Sequence, residues 1–142
     1  MDINQLSEFI GNHVLLVAAL AGIIILLVAS EIQQRVGGVM EIGPLDATRM
    51  LNHENAVLID MRNDKDYRDG HIVNAIHMPE NNDNTRKRLE KFRTRPLIVY
   101  CRSGNQSVGF CRTLRKQGFE PVYNLKGGVL AWQNANLPLS KS

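Results

Sequence analysis

Cysteine is scarce in this chain: Cys101 and Cys111 are the only two among 142 residues. That is too few for a disulfide scaffold, and it suits a protein working in a reducing compartment. Aromatic residues make up only 6% of the sequence. The cations are therefore not interleaved with stacking platforms, no known nucleic-acid motif is present, and no nucleic-acid partner is expected. His71 and His77 have no further metal-ligand residues at useful spacing, so no metal is expected and they read as hydrogen-bonding residues. There is no internal repeat and no low-complexity tract. Lys and Arg are missing altogether before Arg35.

That missing charge frames the one long apolar run. Residues 9–30, Phe9 to Ser30, hold no charged side chain, and from Val14 to Ala29 none is strongly polar. Twenty-two helical residues span about 33 Å, enough for a bilayer core of roughly 30 Å. A signal peptide is the competing reading, with Val28-Ala29-Ser30 as its cleavage site. However, the preceding residues carry Asp2 and Glu8 and no cation, and the apolar run is long. The segment reads as a retained transmembrane helix. All Lys and Arg follow it, so the positive-inside rule places the amino-terminal tail, residues 1–8, outside and the remainder in the cytoplasm. Gly11, Leu15, Ala18, Gly22, Ile25 and Ala29 fall on one helical seam rich in small residues. This seam suits a membrane-protein partner or a second copy; the plain alternative is the ordinary composition of a bilayer span.

Residues 31–43, with Gly37-Gly38 and Gly43-Pro44, read as a linker, and residues 44–139 as an α/β domain. Helices are expected at Leu45 to Asn52, Asp64 to Arg68, Asp83 to Phe92, Val108 to Gln117 and Gly128 to Asn134. Strands are expected at Ala56 to Asp60, Ala75 to Met78, Pro96 to Tyr100 and Pro121 to Asn124. Such alternation implies a mostly parallel sheet flanked by helices. Arg86, Lys87, Arg88, Lys91, Arg93 and Arg95 form a basic cluster relieved only by Glu90. It reads as a solvated face that could also touch anionic membrane lipids.

The stretch Cys101-Arg102-Ser103-Gly104-Asn105-Gln106-Ser107 joins a buried strand to a helix. At that edge of an open α/β sheet ligands bind. Backbone N–H groups of a tight loop and of a helix's first turn favour an anion there and lower a thiol's pKa. Gly104 lets the loop turn, while Ser103, Asn105, Gln106 and Ser107 offer donors or caps. Arg102 sits at the mouth, either steering anions or simply facing solvent. A buried strand-end cysteine is the bland alternative for Cys101. Cys111, beside Phe110 on an apolar helix face, reads as core, as does Trp132.

Four separate motifs resemble the rhodanese family over about residues 44–139. They are Ile59-Asp60-Met61-Arg62, the segment Gly70-His71-Ile72 to Ala75-Ile76-His77-Met78-Pro79, the loop Cys101 to Ser107, and Leu125-Lys126-Gly127-Gly128-Val129-Leu130-Ala131-Trp132. Asn74 departs from the pattern, where the family usually has Gly. With its anchor, the chain resembles the bacterial membrane-anchored single-domain members, which implies an inner-membrane location. The resemblance implies a rhodanese-like domain and a sulfurtransferase with no metal or organic cofactor. A small sulfur-containing anion such as thiosulfate, or a protein persulfide, would load Cys101, and a thiophilic acceptor would unload it. Asp60 and Arg62 would form a pair supporting the loop. A Cys-x5-Arg phosphatase would need Arg where Ser107 stands, so phosphate-ester hydrolysis is disfavoured. The alternative to an enzyme is a membrane-tethered interaction module that docks membrane-protein partners, with catalysis incidental.

Overall fold

The computed structural model describes residues 2–79 and 83–141, with residues 33–37 by backbone alone. Two compact units result, Met1–Gly38 and Val39–Ser142.

In the first unit, helix α1 (Ile3–Asn12) is followed by helix α2 (Val14–Gly37). They are separated at His13, whose φ of −129° and ψ of 39° leave the helical region. Gly11, Asn12 and His13 are three weak helix formers in a row, which accounts for the interruption. Within α2, Val14–Ile32 is long and apolar enough to cross a membrane, with a mean hydropathy of 2.7 over 19 residues. The single continuous helix expected over residues 9–30 is thereby corrected: it is broken at His13. Phe9, Ile10 and Gly11 belong to α1, and Gly11 leaves the seam that Leu15, Ala18, Gly22, Ile25 and Ala29 form on α2.

The second unit is built on a five-stranded sheet in the order β1-β6-β5-β2-β4, every pairing parallel. The strands are β1 (Met40–Ile42), β2 (Val57–Asp60), β4 (Ile76–His77), β5 (Leu97–Tyr100) and β6 (Val122–Leu125). The short strands β3 (His71–Ile72) and β7 (Leu139–Ser140) pair antiparallel in a separate ribbon. Helices α3 (Pro44–His53), α4 (Asp64–Asp69), α5 (Asp83–Leu89), α6 (Gln106–Lys116) and α7 (Gly128–Asn134) complete the unit, with a 3-10 turn at Glu90–Phe92. The expected linker, residues 31–43, needs a second correction. Its backbone is helical to Gly37, and Met40–Ile42 forms the edge strand β1 beside β6.

Both faces of the sheet are covered, so the central strands β2 and β5 are buried along their whole length. Alternation sorts their side chains. Leu58, Ile98 and Tyr100 pack with Ala47, Met50, Val129 and Trp132 from α3 and α7. Val57, Ile59, Leu97 and Val99 pack with Leu89, Phe110, Cys111 and Leu114 from α5 and α6. Within the basic cluster, Arg93 pairs with Glu90 at 2.7 Å and lies over the Phe119 ring at 4.4 Å, while Arg95 Nε donates to Asn55 O at 2.7 Å. Arg86, Lys87, Arg88 and Lys91 are exposed.

Candidate active site

Strand β5 ends at Tyr100, α6 begins at Gln106, and the loop between them turns around the Cys101 thiol. Cys101 is only 2% exposed. The Gly104 N–H donates to its Sγ at 3.1 Å, and Ser107 Oγ lies 3.3 Å away on the first turn of α6. Every third residue faces inward: Cys101, Gly104 and Ser107 are buried, whereas Arg102, Ser103, Asn105 and Gln106 are exposed. Asn105 precedes α6 without a side-chain cap. Burial pushes the Cys101 thiol up. Hydrogen bonding from the Ser107 side chain and from the Ser107, Gly104 and Ser103 backbone outweighs it and holds the thiol below the ordinary cysteine value.

Two glycine-dependent contacts keep this loop in shape. Gly104 has φ +88°, and a Cβ there would come within 2.9 Å of Gly127 N. Gly128 has φ +57°, and a Cβ there would run into the carbonyl oxygens of Cys101 and Arg102. That close approach lets the first turn of α7 donate to the loop, from Val129 N to Cys101 O at 3.0 Å and from Leu130 N to Arg102 O at 3.2 Å. The Gly127-Gly128 pair of the last motif therefore clasps the loop of the third.

Asp60 and Arg62 lie at the end of the neighbouring strand. Arg62 donates to the buried Asp60 carboxylate through Nε at 3.1 Å and through a terminal nitrogen at 2.7 Å. Tyr100 Oη donates to the same carboxylate at 2.6 Å and accepts from Ile72 N at 3.1 Å. Arg62 also reaches Gly70 O at 2.6 Å. The network ties the end of β2, the end of β5 and the Gly70–Ile72 segment together. Burial lowers the Arg62 guanidinium, but Asp60 holds it above its ordinary value. Burial and the Asp60 charge push the Tyr100 hydroxyl up, so it stays protonated as a donor. Alongside, Tyr67 stacks between His71 and His77, with ring centroids 3.9 and 4.3 Å away. His77 Nε2 lies 2.7 Å from Arg62 O and Nδ1 3.4 Å from Asp64. Among the described residues no three His, Cys, Asp or Glu side chains gather as metal ligands.

Arg102 and Arg62 both line a cavity of about 270 Å³ beside the loop, with Asp66, Asp69, Leu130 and Gln133. Two residues absent from the expected site also belong here. Tyr100 is one. Asn124 is the other: its Nδ2 donates to Gly104 O at 2.8 Å and its Oδ1 accepts from Ser107 Oγ. A lone amide inside the otherwise apolar strand Val122-Tyr123-Asn124-Leu125 was the available signal. Cys111 lies apart on α6, wholly buried, with its thiol donating to Tyr123 O at 3.5 Å and pushed up to about 12 by burial.

The model of the rhodanese-like domain matches residues 44–135 of this chain. The chain belongs to the rhodanese family. Over 137 residues it is 34% identical to the uncharacterized protein YibN of Escherichia coli K12, covering 95% of this chain and 96% of YibN. The rhodanese domain is also similar to the solution structure of the rhodanese-like domain of Alr3790 from Anabaena sp.. That likeness has a TM-score of 0.64 and 29% identity, over 72% of this chain and 79% of the other. A thiosulfate sulfurtransferase from Pseudomonas aeruginosa shares the fold, with a TM-score of 0.66 and 22% identity over 73% of this chain and 20% of its own. Within that family's fold, the Cys101 loop lies at the carboxyl edge of the parallel sheet, between β5 and α6.

Proposed function

We propose that this rhodanese is a membrane-anchored sulfurtransferase or persulfide carrier that moves sulfane sulfur through Cys101. The supporting observation is the thiol itself, buried at the exit of a central strand and held below its ordinary pKa by the donors of its own loop. In the first half-reaction the Cys101 thiolate attacks the outer sulfur of thiosulfate. A Cys101–sulfur bond forms, the sulfur–sulfur bond of the donor breaks, and sulfite leaves with the electron pair. The charge then rests on the outer sulfur of the persulfide, where the N–H groups of the loop stabilise it. A thiophilic acceptor, such as cyanide or a protein thiolate, attacks that outer sulfur and returns the thiolate. A protein persulfide can replace thiosulfate as donor. Arg102 draws anionic donors to the mouth, Ser103, Asn105 and Gln106 line the rim, and Asp60 with Arg62 supports the loop from below. No cofactor enters these steps.

Helix α2 anchors the domain to a bacterial inner membrane with the amino terminus outside. Its face of Leu15, Ala18, Gly22, Ile25 and Ala29 meets a second helix, from another copy or another membrane protein. Cys101→Ser is expected to abolish sulfur transfer from thiosulfate to cyanide, and Cys111→Ser to keep most of it. Mass spectrometry of protein taken from cells is expected to find one extra sulfur on the Cys101 peptide. A persulfide confined to Cys111, or an active Cys101→Ser protein, would sink the assignment.

A further inference from the structure

Beside the thiol, one hydroxyl proton faces two acceptors. Ser107 Oγ lies 3.3 Å from Cys101 Sγ and within hydrogen-bonding distance of Asn124 Oδ1, and all three residues are buried. A serine hydroxyl carries one proton and two lone pairs, so it donates in one of these directions at a time. The Asn124 amide decides which. Its nitrogen lies 2.8 Å from Gly104 O and 3.3 Å from a Glu41 carboxylate oxygen. Both of those groups only accept, so the NH2 end is held on their side. The amide oxygen, which also only accepts, is left facing Ser107. While Cys101 is a thiol, every group is then satisfied in one chain: S–H to Ser107 Oγ, and Ser107 O–H to Asn124 Oδ1.

Deprotonation breaks the chain. The thiolate has no proton to give Ser107 and itself needs a donor. Ser107 can supply one only by turning away from Asn124, which leaves a buried amide oxygen unpaired, an unfavourable state. In the persulfide the position of the charge differs. It sits on the outer sulfur, Cys101 Sγ is a neutral two-bonded atom, and the Ser107 proton can stay with Asn124.

We propose that Asn124 is a positioning residue of the site: its amide oxygen claims the Ser107 proton and so favours the thiol and the persulfide over the free thiolate. The inference rests on Cys101 being the sulfur-carrying nucleophile, and deepens that reading by naming what limits its charge between the two half-reactions. The loop N–H groups lower the thiol's pKa; Asn124 limits the share that Ser107 adds. Asn124 reaches this place because β6 pairs with β5, in the register Val99 with Asn124.

The test is a double-mutant cycle on the full chain in detergent, reading the pH dependence of Cys101 alkylation by iodoacetamide. The ionisable groups around the pair are Glu41 behind Asn124, Arg102 on the loop, Cys111 on α6 and the Asp60–Arg62–Tyr100 network on the adjoining strand ends. All are unchanged across the cycle, and Cys111 stays protonated at working pH because its value is pushed up to about 12. Asn124→Leu removes the claim on the hydroxyl but also the brace on Gly104 O. The same substitution in a Ser107→Ala chain measures the brace alone, and the difference isolates the claim. Asn124→Leu is expected to lower the alkylation midpoint by about one pH unit more when Ser107 is present than when it is alanine, roughly tenfold in thiolate fraction. A zero difference, or a higher midpoint when Ser107 is present, would overturn the proposal.

A second reading avoids Asn124 variants and any failure of theirs to fold. The S–H stretch of Cys101, taken by infrared difference against Cys101→Ser, is expected at lower frequency in the parent chain than in Ser107→Ala, because the thiol donates to Ser107. An identical band in both would overturn the resting arrangement. Neither readout uses a sulfur donor. Absence of sulfur transfer in the parent chain would therefore count against the sulfurtransferase reading and leave this one decided on its own data.

Discussion

Cys101 and Cys111 are both buried, and burial by itself pushes each thiol up. They differ in what surrounds them. Cys101 gathers donors from a loop and a helix start, while Cys111 donates to a carbonyl from within an apolar face. The difference has a consequence for stability. The unfolded chain releases the Cys111 proton near about 8.5, and the folded chain only near about 12. Between those values the folded state holds the extra proton, so stability falls as pH rises, by up to about 1.4 kcal/mol per pH unit. Cys101 has the opposite sign: its depressed folded value adds stability above the unfolded value, lost as pH falls through the folded one. Cys111→Ala should therefore lower stability at neutral pH through its cavity, yet flatten the decline in urea-unfolding free energy between about pH 9 and 11. Equal slopes in the two proteins would mean that other groups set the alkaline limit. Much of this residue-level chemistry is legible in sequence, because Cys101, Gly104 and Ser107 are neighbours in one loop. Tyr100 and Asn124 are not legible as partners, since they meet Asp60 and Ser107 only through strand pairing and across distances of 40 and 17 residues.

At the scale of elements, the strands and helices that carry their own periodicity are readable, and the shortest ones are not. β1 is three residues between glycine-containing pairs, where turn chemistry dominates the pattern. β7 is two residues after a proline and exists because β3 offers it a partner. The interruption at His13 is signalled by the polar Asn12 and His13 after Gly11, but the apolar residues on both sides merge into one run when only charge is counted. The clasp between α7 and the Cys101 loop is legible as a Gly-Gly motif, but the atoms it must avoid are visible only in three dimensions. Gly128→Ala imposes a left-handed conformation on a residue with a Cβ and drives that Cβ into the Cys101 and Arg102 carbonyls. It should cost on the order of 2–3 kcal/mol and raise the alkylation midpoint of Cys101 as the loop loosens. Gly109→Ala is the control. It lies inside α6 with nothing near its Cβ site and should be neutral or gain roughly 0.5–1 kcal/mol. Urea unfolding of the two variants checks the contrast, and similar losses in both would remove the clasp from the explanation.

On the scale of the whole molecule, a long apolar helix followed by an α/β domain is plain from one apolar run and the alternation after it. The boundary between them is less plain, because β1 belongs to the sheet. A chain of residues 39–142 retains Met40, Glu41 and Ile42 against Tyr123, Asn124 and Leu125, whereas one of residues 44–142 bares that edge. The shorter chain should be less stable by roughly 2–4 kcal/mol in urea unfolding, and equal stabilities would make β1 dispensable. Charge carries a prediction of orientation. The residues before α2 include Asp2 and Glu8 and no Lys or Arg, while all 17 Lys and Arg residues come after Ile32. Cations resist translocation more than acids assist it, so the carboxyl-terminal domain is predicted to lie in the cytoplasm. There a reducing environment would keep an unpaired thiol available for the proposed sulfur chemistry. Protease added to intact spheroplasts should spare the rhodanese domain, and protease added to inverted vesicles should release or digest it. Digestion from the outside would reverse the orientation. It would also place Cys101 in an oxidising compartment, where a carrier that depends on a free thiol between turnovers would have no means of staying reduced.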